Sequence, residues 1–154
     1  MLSIMSLERM LAFAGHQIRR SHQIAVALFA EEAGPFEITP VQYAALTAIA
    51  EAPDCDATRL AAVVALDRST VGNVLERLEG RALISRAHRQ HDKRTKGLRL
   101  TATGRALLDD IAPSIARSQE RFIEVLSPDE QQQLCRLLSK LIRLHEADEE
   151  RLEA

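Results

Sequence analysis

The sequence contains no tryptophan, and its one tyrosine and four phenylalanines amount to 3% of 154 residues. So few rings exclude the stacking platforms on which single-stranded nucleic acids are held. Cysteine is nearly as rare: Cys55 and Cys135 stand far apart and form no Cys-x-x-Cys, which excludes a disulfide framework and a four-cysteine metal site. Long uncharged apolar runs are missing too, because Glu8, Arg9, Arg19 and Arg20 break up the one candidate near the start. Neither a signal peptide nor a membrane span is therefore expected, and the chain should be soluble and cytoplasmic. There is no Gly-rich phosphate loop, no Gly-x-Ser-x-Gly and no His-Glu-x-x-His, so nothing supports enzymatic activity or calls for a cofactor.

What the sequence does have is charge, unevenly placed. Between Arg59 and Arg105 eleven Lys and Arg stand against four acids (Asp67, Glu76, Glu79 and Asp92), a net +7; the whole chain is −2, so the remainder carries −9. That asymmetry implies a polyanion-binding module mounted on an acidic body. The near-neutral pI of about 6.2 argues against indiscriminate coating of nucleic acid but not against a localised basic face. At 46% hydrophobic, the chain can bury one core, with two sub-regions.

Residues from about Ser6 to Ala33 read as one long helix, with Leu7, Met10, Leu11, Ala14, Ile18, Ala25, Leu28 and Phe29 in a stripe and Phe13 and Ile24 off it. Gly34-Pro35 ends it. Thr39 and Pro40 supply the N-cap and first position of a second helix reaching about Glu51. A short helix is expected from about Thr58 to Val64. After the turn at Leu66-Asp67, Asp67 caps a helix whose Val71, Val74, Leu75 and Leu78 face inward and which Gly80 ends. Arg68, Ser69, Thr70, Asn73 and Arg77 project from its other side. Leu83–Arg86 and Leu98–Thr101 read as strands of a hairpin around the cationic loop HRQHDKRTKG, which holds Arg89, Asp92, Lys93, Arg94 and Lys96. Thr103-Gly104 starts a helix in which Pro113 predicts a kink. Ser127-Pro-Asp-Glu130 is a capping box that opens the last, Leu-rich helix.

The order helix, short helix, turn, polar-faced helix and basic hairpin is that of a winged helix-turn-helix, a mainly α fold with a small β-hairpin. In it a helix N-terminus enters the major groove. Ser69 and Thr70 suit phosphate or base contacts, and Asn73 and Arg77 can each make two hydrogen bonds, to adenine and guanine edges respectively. Alone, these polar residues would describe a solvated helix face; the +7 window and the basic hairpin favour DNA.

DRSTVGNVLERLEGRALI followed by HDKRTKGLRLTATG closely resembles the multiple-antibiotic-resistance regulator (MarR) family of winged-helix transcription factors. Asp92, Lys93, Arg94, Leu100, Thr101 and Gly104 fall on its wing pattern, with Lys93 where Arg is common. The resemblance covers nearly the whole chain. It implies a lobe over 36–104 and a helical dimerisation region over 1–35 and 105–154. It also implies that Arg94 enters the minor groove from the wing tip while Asp92 braces the wing by an ion pair; a narrow minor groove concentrates the negative potential that such an Arg fills. The apolar helices at both chain ends favour a two-fold homodimer, which sets two recognition helices roughly 34 Å apart on a pseudo-palindromic operator. A monomer with a three-helix cap is the competing arrangement, and it leaves more apolar surface wet.

Gly15, Arg19, His22 and Val26 run along one edge of the first helix. The Arg19 guanidinium could grip a carboxylate while apolar walls hold a ring, or it could reach solvent or pair with an acid across an interface. GHQIRRSHQIAVALF and ITPVQYAAL resemble the branch of the family that controls degradation of aromatic acids such as protocatechuate or hydroxynicotinate. That likeness implies Arg19 as the carboxylate ligand, with His16 and His22 as partners for a ring hydroxyl or nitrogen. Ser21-His22 departs from the Leu-Gln common there. The expected function is a repressor released from its operator by a small aromatic acid. Alternatives are a redox- or metal-sensing regulator of the same fold and a helical adaptor that binds no DNA. The adaptor leaves the basic hairpin unexplained. Thiol sensing lacks a Cys at the start of the first helix, Cys135 reads as a packing residue, and the acidic loop around Cys55 would raise its pKa. A zinc sensor would have to use His88, His91 and Asp92 on the DNA-facing wing.

Overall fold

Helix starts in this chain are written in short polar side chains. Thr39 accepts from the Gln42 N–H while the Gln42 side chain takes the Thr39 N–H, a closed capping box (3.2 and 3.0 Å). Asp56, Asp67 and Thr101 each accept from the backbone three residues on. Ser127 and Glu130 form the expected box, at 2.8 and 3.4 Å. The computed structural model describes residues 6–88 and 96–152. Its elements are α1 (Leu7–Leu11), α2 (Ala14–Ala33), a 3-10 turn (Gly34–Phe36), α3 (Pro40–Glu51), α4 (Ala57–Val63), α5 (Arg68–Gly80), β1 (Ile84–His88), β2 (Lys96–Leu100), α6 (Ala102–Ile123) and α7 (Pro128–Leu152). The fold is mainly helical with a two-stranded antiparallel hairpin, as expected, in the register Ile84 to Leu100 through His88 to Lys96.

Several boundaries differ from the sequence reading. The first helix is two helices. Phe13 takes an extended backbone (φ −67°, ψ 137°) and its carbonyl opens α2 by accepting from the Gln17 N–H at 3.0 Å. The Gln17 side-chain amide meanwhile donates to the Leu11 carbonyl at 2.6 Å, occupying an acceptor that a continuous helix would have used. α4 starts one residue early, at Ala57, where Asp56 caps it. Thr101 is a cap rather than a strand residue, so α6 begins at Ala102; it continues through Pro113 to Ile123 as one element.

Gly80 does not reverse the chain after α5. Ala82 does, at φ 55°, with its N–H on the Glu79 carbonyl (2.8 Å) and the Leu83 N–H on the Leu78 carbonyl (3.0 Å). Those two bonds are the Schellman pair, and they put an alanine where glycine is usual. α4 ends likewise: Ala65 has φ 52° and the Leu66 N–H reaches the Ala61 carbonyl at 3.0 Å.

The core lies in the winged lobe and under α2 and α6. Leu46, Ile49, Leu60, Leu75, Leu78, Leu98 and Ile111 are each at most 1% exposed, and each such burial stabilises by about 1.5–3 kcal/mol. Phe29 and Ala33 close the core from α2. Arg117 reaches Glu32 at 2.9 Å, and Arg121 reaches Glu31 and Glu32 at 2.8 Å, clasping α2 to α6. Hydrogen bonds from Arg117 first and then Arg121 hold the Glu32 carboxyl below its ordinary value. Outside this core Leu7, Phe13, Ile18, Ile24, Leu137, Leu141 and Ile142 remain exposed. Cys135, expected to pack, is also exposed, whereas Cys55 is buried.

Candidate nucleic-acid interface

α5 buries Val71, Leu75 and Leu78 against the core and turns Arg68, Ser69, Asn73 and Arg77 to solvent, with Thr70 half-buried. No described residue supplies a hydrogen-bond partner for the side chains of Arg68, Asn73 or Arg77, so their donors are available to a ligand. Ser69 and Thr70 are different. Ser69 Oγ donates to Asp67 Oδ1 at 2.6 Å and Thr70 Oγ1 to Asp67 Oδ2 at 2.6 Å, and the Thr70 N–H also reaches Oδ1 at 2.9 Å. These bonds, the Ser69 hydroxyl first and then those from Thr70, hold the Asp67 carboxyl far below its ordinary value of 3.8. The cap expected from sequence thus also engages two of the expected DNA contacts.

Three arginines of the basic window are engaged by the chain itself. Arg81 donates to the carbonyls of Glu37 (2.6 Å) and Phe36 (3.0 Å), fastening the end of α5 to the turn before α3. Arg86 pairs with Glu79 at 3.0 Å. Arg99 makes a bidentate pair with Asp54, both bonds 2.6 Å, which raises its pKa through that hydrogen bonding and charge. Beside this pair the Asp54 N–H donates to the Leu98 carbonyl and the Leu98 N–H to the Cys55 carbonyl, each at 2.9 Å. The α3–α4 loop therefore forms a one-rung third strand against the hairpin. Sequence reading missed this brace because its partners lie 45 residues apart; an isolated Asp in a Pro-Asp-Cys-Asp loop gave no local signal. Of the candidates on the wing, Arg89, Asp92, Lys93 and Arg94 lie outside the described residues, as does the side chain of Lys96.

The hairpin is seated on α6 by a junction with no spare room. Thr101 Oγ1 donates to the Ala82 carbonyl (2.7 Å) and accepts from the Gly104 N–H (3.0 Å), while the Thr101 N–H meets the Leu83 carbonyl at 3.1 Å. A Cβ at Gly104 would overlap the Leu83 carbonyl oxygen. The Leu-Thr and following Gly of the wing pattern are therefore a packing device.

The effector candidates share one edge of α2. Arg19 Nη2 lies 3.4 Å from His16 Nδ1. Gly15, Arg19, His22 and Val26 are exposed and His16 is half-buried. A Cβ at Gly15 would meet nothing within 4 Å, so packing within this chain does not demand glycine there.

A helix-turn-helix seated on one core with an attached antiparallel hairpin defines a winged-helix protein. The MarR family model matches residues 38–96. The transcriptional regulator HosA of Escherichia coli O157:H7 is 32% identical over 129 residues, which are 84% of this chain and 94% of HosA. BpsR of Bordetella bronchiseptica, whose DNA binding is regulated by 6-hydroxynicotinic acid, aligns at a TM-score of 0.81 with 30% identity, over 85% of this chain and 94% of its own. The transcriptional repressor CouR, bound to a 23-mer DNA duplex, aligns at 0.83 with 26% identity, over 91% and 99%. The chain belongs to the MarR family of transcriptional regulators.

Proposed function

We propose that the protein is a homodimeric, non-enzymatic repressor that acts in the cytoplasm on a pseudo-palindromic operator and is released by a small aromatic carboxylic acid. The observation that carries the DNA reading is the polar face of α5, on which Arg68, Asn73 and Arg77 are exposed and without a partner among the described residues, on a helix whose other face is locked in the core. The lobe is 36–104, and the likeness to CouR on its duplex supports α5 as the groove-entering helix; Arg89, Asp92, Lys93, Arg94 and Lys96 are the further DNA contacts of this reading. Apolar residues left exposed on α1, α2 and α7 support a dimer made by 1–35 and 105–154. No helix among the described residues is long and apolar enough to cross a membrane.

The effector reading rests on Arg19. It stands exposed beside His16 on an edge with Gly15, His22 and Val26, a guanidinium suited to a carboxylate next to ring-nitrogen partners. The likeness to BpsR, regulated by 6-hydroxynicotinic acid, supports an aromatic acid. Release requires the acid to prefer a dimer whose recognition helices are wrongly spaced, since equal affinity for both states would shift nothing. The test is a mobility shift on the DNA upstream of the protein's own coding sequence, challenged with a panel of aromatic carboxylates. The expected result is a shift that one acid abolishes for the wild type but not for Arg19→Ala. A variant still released would remove Arg19 from the pocket, and a wild type that shifts no DNA would remove the regulator reading.

A further inference from the structure

Resting on the reading that α5 enters the major groove, we infer that Asp67 fixes Ser69 and Thr70 as hydrogen-bond acceptors toward DNA. This turn then recognises the exocyclic amino groups of adenine or cytosine, not phosphates or base carbonyl oxygens. Ser69 Oγ lies 2.6 Å from one carboxylate oxygen of Asp67 and Thr70 Oγ1 lies 2.6 Å from the other. An ionised carboxylate only accepts, and each hydroxyl has a single proton. Both protons therefore point at Asp67, and only lone pairs face outward. The Thr70 N–H, the kind of free helix donor that draws phosphate, is likewise on Asp67 at 2.9 Å, and the carboxylate's charge opposes a phosphate at the same end. Phosphate is left to the guanidinium groups of Arg68 and Arg77, which have no partner among the described residues.

In the major groove every base pair offers one amino group and one carbonyl oxygen: adenine N6 beside thymine O4, cytosine N4 beside guanine O6. An acceptor held in place reads which strand carries the amino base, so it separates A or C from G or T without separating A from C. Ser69 is exposed and Thr70 half-buried, which makes Ser69 the reader and Thr70 a brace. Asp67 is a positioning residue that sets the polarity of both.

The test is selection of binding sites from a randomised duplex pool with the full-length wild type, Asp67→Gly, Ser69→Ala and the double variant. Glycine is tolerated as an N-cap at little cost, and it removes the carboxylate, so the Ser69 hydroxyl is free to donate or accept. The wild type should enrich A or C over G or T by about fivefold at one position of its motif. Ser69→Ala should erase that preference alone. Asp67→Gly should level it, and should change nothing further at that position when added to Ser69→Ala. A Ser69-dependent position that prefers G or T in the wild type overturns the inference. So does a folded Asp67→Gly with the wild-type motif, and so does a motif indifferent to Ser69→Ala. A wild type that enriches no motif overturns the DNA reading underneath, an outcome distinct from failure of the hydroxyl polarity.

Discussion

In the winged lobe Leu46, Ile49, Leu78 and Leu98 are 0–1% exposed, whereas on α7 Leu137, Leu141 and Ile142 leave 45–56% of their surface in solvent. Polar groups divide the same way. In the lobe Arg81, Arg99, Thr101 and Asp67 hold one element to another or cap it, while of the helical arms outside it (α2, α6 and α7) the first two are joined by the Glu31/Glu32 clasp to Arg117 and Arg121. One region carries its stability internally; the other presents apolar surface that, on the proposed reading, a second copy covers. If α5 is the groove-entering helix, as proposed, its place on the self-sufficient part lets the helices outside the lobe shift without loosening it.

The largest effect should come from removing the clearance at the wing junction. Gly104→Val forces a side chain into the Leu83 carbonyl and should cost about 3 kcal/mol or more, read as a lower urea midpoint. Gly80→Ala, in open space at the end of α5, should be neutral or stabilising by about 0.5 kcal/mol. Equal effects would show that the lobe is not tightly seated.

Next comes the arm. Leu137→Glu with Leu141→Glu should raise the dimer dissociation constant more than about tenfold, since each buried aliphatic side chain contributes about 1.5–3 kcal/mol. Sedimentation velocity would measure it, and amide exchange in the lobe should stay as in the wild type. An unchanged dimer would remove α7 from the interface.

Acid compares the two regions directly. Glu32 in the arm clasp and Asp67 in the lobe both have carboxyls held below their ordinary values of 4.5 and 3.8. The stability each contributes is therefore complete above its ordinary value and is lost as pH falls toward the folded-state value. Urea midpoints should begin to drop below about pH 5 and go on falling well below pH 3. Glu32→Gln should flatten part of that drop, Asp67→Asn another part, and the two together should add. A full drop in the double variant would place the acid sensitivity elsewhere.

The smallest effect is expected at Ala82. Its left-handed backbone costs an alanine about 1 kcal/mol, partly offset by glycine's greater freedom in the unfolded chain. Ala82→Gly should raise the urea midpoint by the equivalent of roughly 0.5 kcal/mol.

Much of the fold was legible because its signals are local. Thr39, Asp67 and Ser127 announce helix starts within four residues, and the stripes Val71-Leu75-Leu78 and Leu98-Leu100 announce burial. What escaped was set at a distance or by competition. α5 ends at Gly80 as read, yet the left-handed reversal falls two residues on, at Ala82. The break at Phe13 follows from the Gln17 side chain taking the Leu11 carbonyl, which periodicity cannot show. In the candidate site, Arg68, Asn73 and Arg77 were singled out from pattern and charge, and they lie exposed on α5. The charge count, however, could not tell that Arg81, Arg86 and Arg99 are occupied with Phe36, Glu37, Glu79 and Asp54.

The seam at Thr101 and Gly104 makes α6 and the hairpin one rigid crank. A helix of 22 residues is about 33 Å long. A tilt of some 5° pivoting at its far end would then swing the hairpin through roughly 3 Å, comparable to the length of a hydrogen bond. Small angular play in the helical body would thus be geared up into engagement or loss of contact at the wing, with no flexible hinge needed between them.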